Sequence, residues 1–159
     1  MFQQLRMLGL GLIIAGLSLV HPGAARAQTT PLKGSGVGQV IFQIDPTPDS
    51  PGVQVYRVDG VATLAGRVTG TGITFFTLGG AVEGSFVATS ANGDTVDGDY
   101  AGTWAPVNPT TFRFDVETAW HDGTGRFVGI TGESDAVAIL DGLTGAFEWT
   151  HDGIWMIRD

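Results

Sequence analysis

The sequence predicts an all-β domain closed into a barrel, on three observations. Residues 95–104 and 111–121 alternate strictly between apolar and polar side chains, as strands with one dry and one wet face do. Past residue 27 no stretch carries an apolar stripe at helical spacing, the mark of an amphipathic helix. Glycine supplies 25 of 159 residues, more than twice the usual ~7%, and each would cost a helix interior roughly 1 kcal/mol relative to Ala. Short strands with glycine turns between them indicate a sandwich or a closed barrel. Closure is preferred because it leaves no unpaired edge in a small chain without disulfides.

The first 27 residues stand apart from this pattern. A short basic start at 1–6, an apolar run at 7–20 and Ala25-Arg26-Ala27 form the grammar of a secretory signal peptide. The apolar run is also shorter than the roughly 20 residues that span a bilayer as a helix. The expected plan is a signal peptide at 1–27, a flexible lead-in at 28–36 (QTTPLKGSG), and a single β-barrel domain at 37–159. The expected destination is the periplasm or the exterior. The chain has no Cys, which removes disulfides, thiol catalysis and a lipid-modified cysteine anchor.

The elements follow in order. Val40, Phe42 and Ile44 alternate, and three prolines in residues 45–51 then forbid regular structure. Strands at 53–58 and 61–69 are expected on either side of Asp59-Gly60, a dipeptide suited to a tight hairpin. Residues 73–78 and 81–89 flank Gly79-Gly80. The two long alternating strands come next, and runs at 136–140 and 146–157 close the chain, the last bent at Asp152-Gly153. This makes eight or nine strands. Phe86, Tyr100, Phe112, Phe114 and Trp120 share dry faces, as core or as pocket wall. Truncating a buried Phe such as Phe114 to Ala is expected to cost about 3–5 kcal/mol.

Charge excludes two classes of partner. Sixteen acidic residues face eight basic ones, and the net charge of −8 becomes −10 once Arg6 and Arg26 leave with the signal. Lys33, Arg57, Arg67, Arg113, Arg126 and Arg158 are scattered and form no basic stripe. Nucleic acid, whose binding depends on Lys and Arg neutralising phosphates, is not expected as a partner. Nor is a membrane surface expected after signal cleavage, since carboxylates repel anionic lipid.

Several constellations invite chemistry and are better read as turns. His121-Asp122-Gly123 and His151-Asp152-Gly153 repeat a tripeptide that could supply metal ligands, but Asp-Gly is turn chemistry at a strand end. No metal is expected. Asn92-Gly93-Asp94 with Asp97 and Asp99 fails the calcium-loop spacing and suits a hairpin. Gly132-Glu133-Ser134-Asp135-Ala136 approaches a nucleophile elbow, but a strand follows where that motif needs a helix. No pair of carboxylates is singled out as acid and base, so no catalytic residue is assigned. Glu83, Asp97, Asp99, Arg113 and Glu117 are candidates only if their strand face turns inward.

The stretch from His121 to Gly132, with Gly123-Thr124-Gly125-Arg126-Phe127 at its centre, resembles the Gly-[Thr/Ser]-Gly-x-Phe-x-x-Ala-x-Gly segment of the allene oxide cyclase and dirigent proteins, with Ile130 in place of Ala. Flanking segments around Asn92 and Asp141-Gly142 are similar to those of small secreted bacterial barrels of the same superfamily. The resemblance implies a closed eight-stranded antiparallel β-barrel with an apolar cavity, a dimeric or trimeric assembly, and no cofactor. In it Gly123 and Gly125 would permit a tight reversal and Phe127 would plug one barrel end. The plant cyclases carry a cavity cysteine that this chain lacks. The expected function is binding of an apolar small molecule in the interior, lined by Phe86, Tyr100, Phe114 and Trp120. The alternative is a cofactor-independent cyclase or isomerase acting by confinement of a reactive substrate. A third class, a structural or oligomer-forming protein, would show an apolar patch on its exterior.

Overall fold

Alternation of side chains along a strand gives it two faces, and here eight strands turn one face onto a common axis. The computed structural model describes residues 28–157; the signal-peptide reading of residues 1–27 lies outside them. The strands are β1 (Gln28–Ile44), β2 (Gly52–Ala62), β3 (Gly66–Phe76), β4 (Ala81–Ser90), β5 (Thr95–Asn108), β6 (Thr111–Gly123), β7 (Thr131–Asp141) and β8 (Ala146–Ile157). Each pairs antiparallel with its sequence neighbour, and β8 closes on β1. The result is a closed eight-stranded up-and-down barrel, an architecture without edges.

Several details differ from the sequence expectation. Residues 28–36 are not a flexible lead-in: they form the first half of β1 and pair with β8 from Gln28 to Gly36. Asp59-Gly60 is not a hairpin turn. It lies within β2, and the chain reverses at Thr63–Ala65, where Leu64 takes a positive φ of 65°. A side chain at position 60 would stand 2.5 Å from Trp149 Cζ2, so Gly60 makes room for an indole inside a strand. Finally, Val40, Phe42 and Ile44 do not share a face. Val40 pairs with Tyr56 and Phe42 with Val55, leaving Ile41 as an extra residue. This bulge reverses the alternation, so Val40 points inward while Phe42 and Ile44 point out. Residues 136–140 belong to a longer strand, and β8 runs through Asp152-Gly153 without interruption.

The packed core sits at one end. Leu32, Ala65, Val68, Ala88, Val96, Trp120, Phe127, Ile130 and Trp155 form one buried cluster. A single 3₁₀ turn, Gly125–Phe127, follows β6 and inserts Phe127, 1% exposed, beneath Trp155. Gly125 takes a positive φ of 55° in this turn, a backbone that glycine adopts without steric cost. At the opposite end Trp104 stands edge-on to both Phe76 and Phe112 and donates Nε1–H to the Thr77 carbonyl at 2.9 Å.

Candidate functional site

Between the two packed ends the barrel is hollow. A lumen of about 170 Å³ is bordered by Val58, Phe86, Phe114, Val116, Ala136, Ala138, Phe147 and Trp149, among others. Phe86, Tyr100, Phe114 and Trp120 all lie on its wall. Phe86, Tyr100 and Phe114 point inward yet are only half-buried, whereas Trp120, nearer the plugged end, is 5% exposed.

The space exists because the wall pairs aromatic rings with glycines. Along β8, Phe147, Trp149 and His151 oppose Gly38, Gly36 and Gly34 of β1. Each ring occupies the place where the glycine's side chain would stand. Tyr56 does the same over Gly72, and Tyr100 over Gly84. Rings that lean across a neighbouring strand cover its backbone and stay clear of the axis, which an eight-strand barrel would otherwise fill with its own side chains.

Polar groups on the wall are few. The Tyr100 hydroxyl lies 2.6 Å from Thr74 Oγ1 and donates to the Ile73 carbonyl at 3.2 Å. Burial pushes the phenols of Tyr56 and Tyr100 up. Trp120 donates Nε1–H to Ser134 Oγ at 3.1 Å. His151 stands between Trp120 and Trp149; its Nε2 and the Nε1 of Trp155 have no hydrogen-bond partner among the described residues. Burial lowers the His151 pKa to about 4, against a smaller opposing pull from Asp152. All three ionisable side chains on the wall are therefore neutral at pH 7.

Glu83, Asp99, Arg113 and Glu117 lie exposed on the outer face, and Asp97 stands half-buried on the same side. Alternation puts them outside because Gly84, Gly98, Phe114 and Thr118 face in. The repeated His-Asp-Gly tripeptides also part company. His121 is exposed and pairs with Asp99 at 3.1 Å, while His151 faces the lumen. Among the described residues no group of three or more His, Asp or Glu is placed to hold a metal ion. Asn92-Gly93-Asp94 forms the β4–β5 turn, with Gly93 at a positive φ of 92°. Asp94 accepts from the Arg126 backbone N–H at 3.3 Å, which ties this turn to the plug.

A second concavity crosses the outer face of β4 to β8 and opens broadly to solvent. Glu83, Asp99, Glu117, Glu133, Asp135 and Asp152 border it. Glu117, Asp135 and Asp152 are direct register partners, and Lys33 ends the row with an ion pair to Asp152 at 3.0 Å. The lumen is the better candidate site, because small-molecule sites are enclosed and mostly apolar with a few placed polar groups. Tyr56 is a member of that wall that the sequence did not single out, and His151, expected at a strand-end turn, lies inside β8 and faces the lumen. The spacing of Trp149, His151 and Trp155 by even steps was the available signal.

No protein-family model, no curated protein and no solved structure matches this chain.

Proposed function

We propose that this protein binds a small, neutral, apolar molecule of about one ring in its lumen. One observation carries this: about 170 Å³ of interior space with apolar and aromatic walls. A dry engineered cavity of about 150 Å³ in another protein is large enough for benzene, so the size favours a compact ligand over a fused polycycle or a long acyl chain. The neutral state of His151, Tyr56 and Tyr100 leaves no fixed charge to hold an ionic ligand.

Membership of the allene oxide cyclase and dirigent superfamily belongs to the same proposal. It is supported by the residues of the 121–132 segment and by the eight-stranded antiparallel barrel. Secretion to the periplasm or beyond is likewise proposed, from the pattern of residues 1–27. A cyclase or isomerase acting by confinement is the second reading. It is favoured by the presence of His151, Tyr56 and Tyr100 on the lumen wall, and its mark would be release of a chemically altered ligand.

The test is a toluene titration followed by tryptophan emission and by the thermal midpoint. Trp120, Trp149 and Trp155 border the space, so filling it is expected to shift their emission. The midpoint should rise with ligand concentration, as binding to the folded state alone requires. Nile red, much larger than the lumen, should leave both unchanged. A folded sample that ignores toluene at its solubility limit overturns the proposal.

A further inference from the structure

Hydrogen-bond donors buried in an apolar interior must find acceptors, and the lumen wall spends nearly all of its own. Trp120 gives its Nε1–H to Ser134 Oγ, Trp149 gives its Nε1–H to the Val37 carbonyl, and Tyr100 gives its O–H to the Ile73 carbonyl. Tyr56 turns its O–H towards the Tyr100 oxygen. The indole N–H of Trp155 is unpartnered among the described residues, but it belongs to a side chain packed into the plug and 1% exposed. His151 is the exception that meets open space.

The imidazole is held from two sides. The Trp149 indole stands edge-on to it with ring centroids 5.3 Å apart, and the Trp120 centroid lies at 5.6 Å. Its Nε2 lies over Gly34, where an added side chain would collide with it, and is sealed there without a partner among the described residues. Nδ1 is not sealed, and the ring borders the lumen. The two nitrogens are therefore unequal. A sealed lone pair costs less than a sealed N–H, as the rarity of orphaned N–H groups in buried backbone shows. The ring is neutral at pH 7, so it carries one proton, and that proton belongs on Nδ1. His151 thus presents the lumen with one N–H that is held in place and unspent.

We infer that the ligand carries one uncharged carbonyl group, whose oxygen accepts the His151 Nδ1–H while a single ring packs on the apolar wall. The inference rests on the apolar-lumen reading and narrows it to ring-sized aldehydes, ketones and esters. A carbonyl brings acceptor lone pairs and no donor. A hydroxyl would add a donor that needs an acceptor of its own. A carboxylate would add a charge, and a charge moved from water into apolar surroundings needs a partner of opposite sign. The neutral wall offers none.

Benzaldehyde and styrene, alike in ring and size and differing in C=O against C=CH2, provide the test. Calorimetric titration of the parent and of His151→Phe forms a double cycle that cancels the different hydration of the two ligands. The substitution should weaken benzaldehyde at least about fivefold more than styrene, because it leaves a buried carbonyl without its donor. Infrared spectra of bound benzaldehyde give a second readout that needs no variant. Its C=O stretch in the parent should lie below the frequency seen in cyclohexane, as hydrogen bonding requires, and should return to it in His151→Phe. Equal weakening of both ligands overturns the inference, as does a bound carbonyl at the cyclohexane frequency; in both cases styrene and toluene binding still supports the apolar lumen. If a folded parent takes up none of benzaldehyde, styrene and toluene, the lumen reading itself falls. Should His151→Phe fail to fold, the parent's infrared band decides.

Discussion

The indole of Trp149 lies against Gly36, its register partner on the neighbouring strand; a side chain at Gly36 would stand 2.8 Å from Trp149 Cζ2. The same added atom would press on the Asp59 carbonyl, which belongs to backbone and cannot move aside. Gly36→Ala is therefore expected to destabilise the barrel by about 1–3 kcal/mol, the usual cost of overpacking. Urea denaturation with an unchanged slope checks it. A neutral effect would mean that the ring leans elsewhere.

Filling the lumen should separate binding from stability. Ala138 lies between Phe114 and Trp149 in register and borders the space. Ala138→Phe is expected to abolish toluene binding while changing stability by no more than about 1–3 kcal/mol. Calorimetric titration and the thermal midpoint read the two effects.

Phe114 offers the converse. It borders open space and is only half-buried, so Phe114→Ala should cost less than the roughly 3–5 kcal/mol of a fully packed Phe. Phe127→Ala, by contrast, removes a side chain 1% exposed and should cost that full amount. It should also expose Trp155 to quenching by acrylamide, because Phe127 covers its ring.

His151 makes stability depend on pH in a defined window. Its folded pKa of about 4 lies below the ordinary 6.5. Between these values the unfolded chain binds a proton that the folded one refuses, so stability falls as pH drops from 6.5 towards 4. The loss is on the order of 2–3 kcal/mol. Asp115 and Asp141 are held below the ordinary carboxylate value by hydrogen bonds from Arg113 and from the Leu143 backbone. Their contribution is present above 3.8 and is lost only as pH falls below it. Denaturation midpoints of the parent and of His151→Phe at pH 7 and pH 5 should therefore diverge, with the variant nearly flat.

The acidic row on the outer face predicts a gain. Asp135 stands between Glu117 and Asp152, and like charges opposite each other on a sheet destabilise it. Asp135→Lys should stabilise the protein by about 0.2–1 kcal/mol per relieved pair at low salt, with the gain shrinking as salt screens it.

Period-two alternation sufficed to put Tyr100, Phe114 and Trp120 on one face of their strands and the carboxylates of β5 and β6 on the other, while leaving open whether the carboxylates turn inward. The same rule separates the two histidines. His121 is one residue from Trp120 and takes the opposite face; His151 is two from Trp149 and shares its face. What alternation cannot supply is the job of a glycine. Gly34, Gly36, Gly60 and Gly72 look like linker or turn residues when read along the chain, and all lie inside strands. Each one's neighbours are rings more than ten positions away.

Strand content and the division of each regular strand into two faces were thus written in local order, because a two-residue period is a property of the chain alone. Where β1 begins, that β2 and β3 run unbroken through their glycines, that one extra residue at Ile41 turns two apolar side chains outward, and that the barrel stays hollow were decided in three dimensions. Each depends on which residue stands opposite across a strand pair, and register is fixed only when the sheet closes.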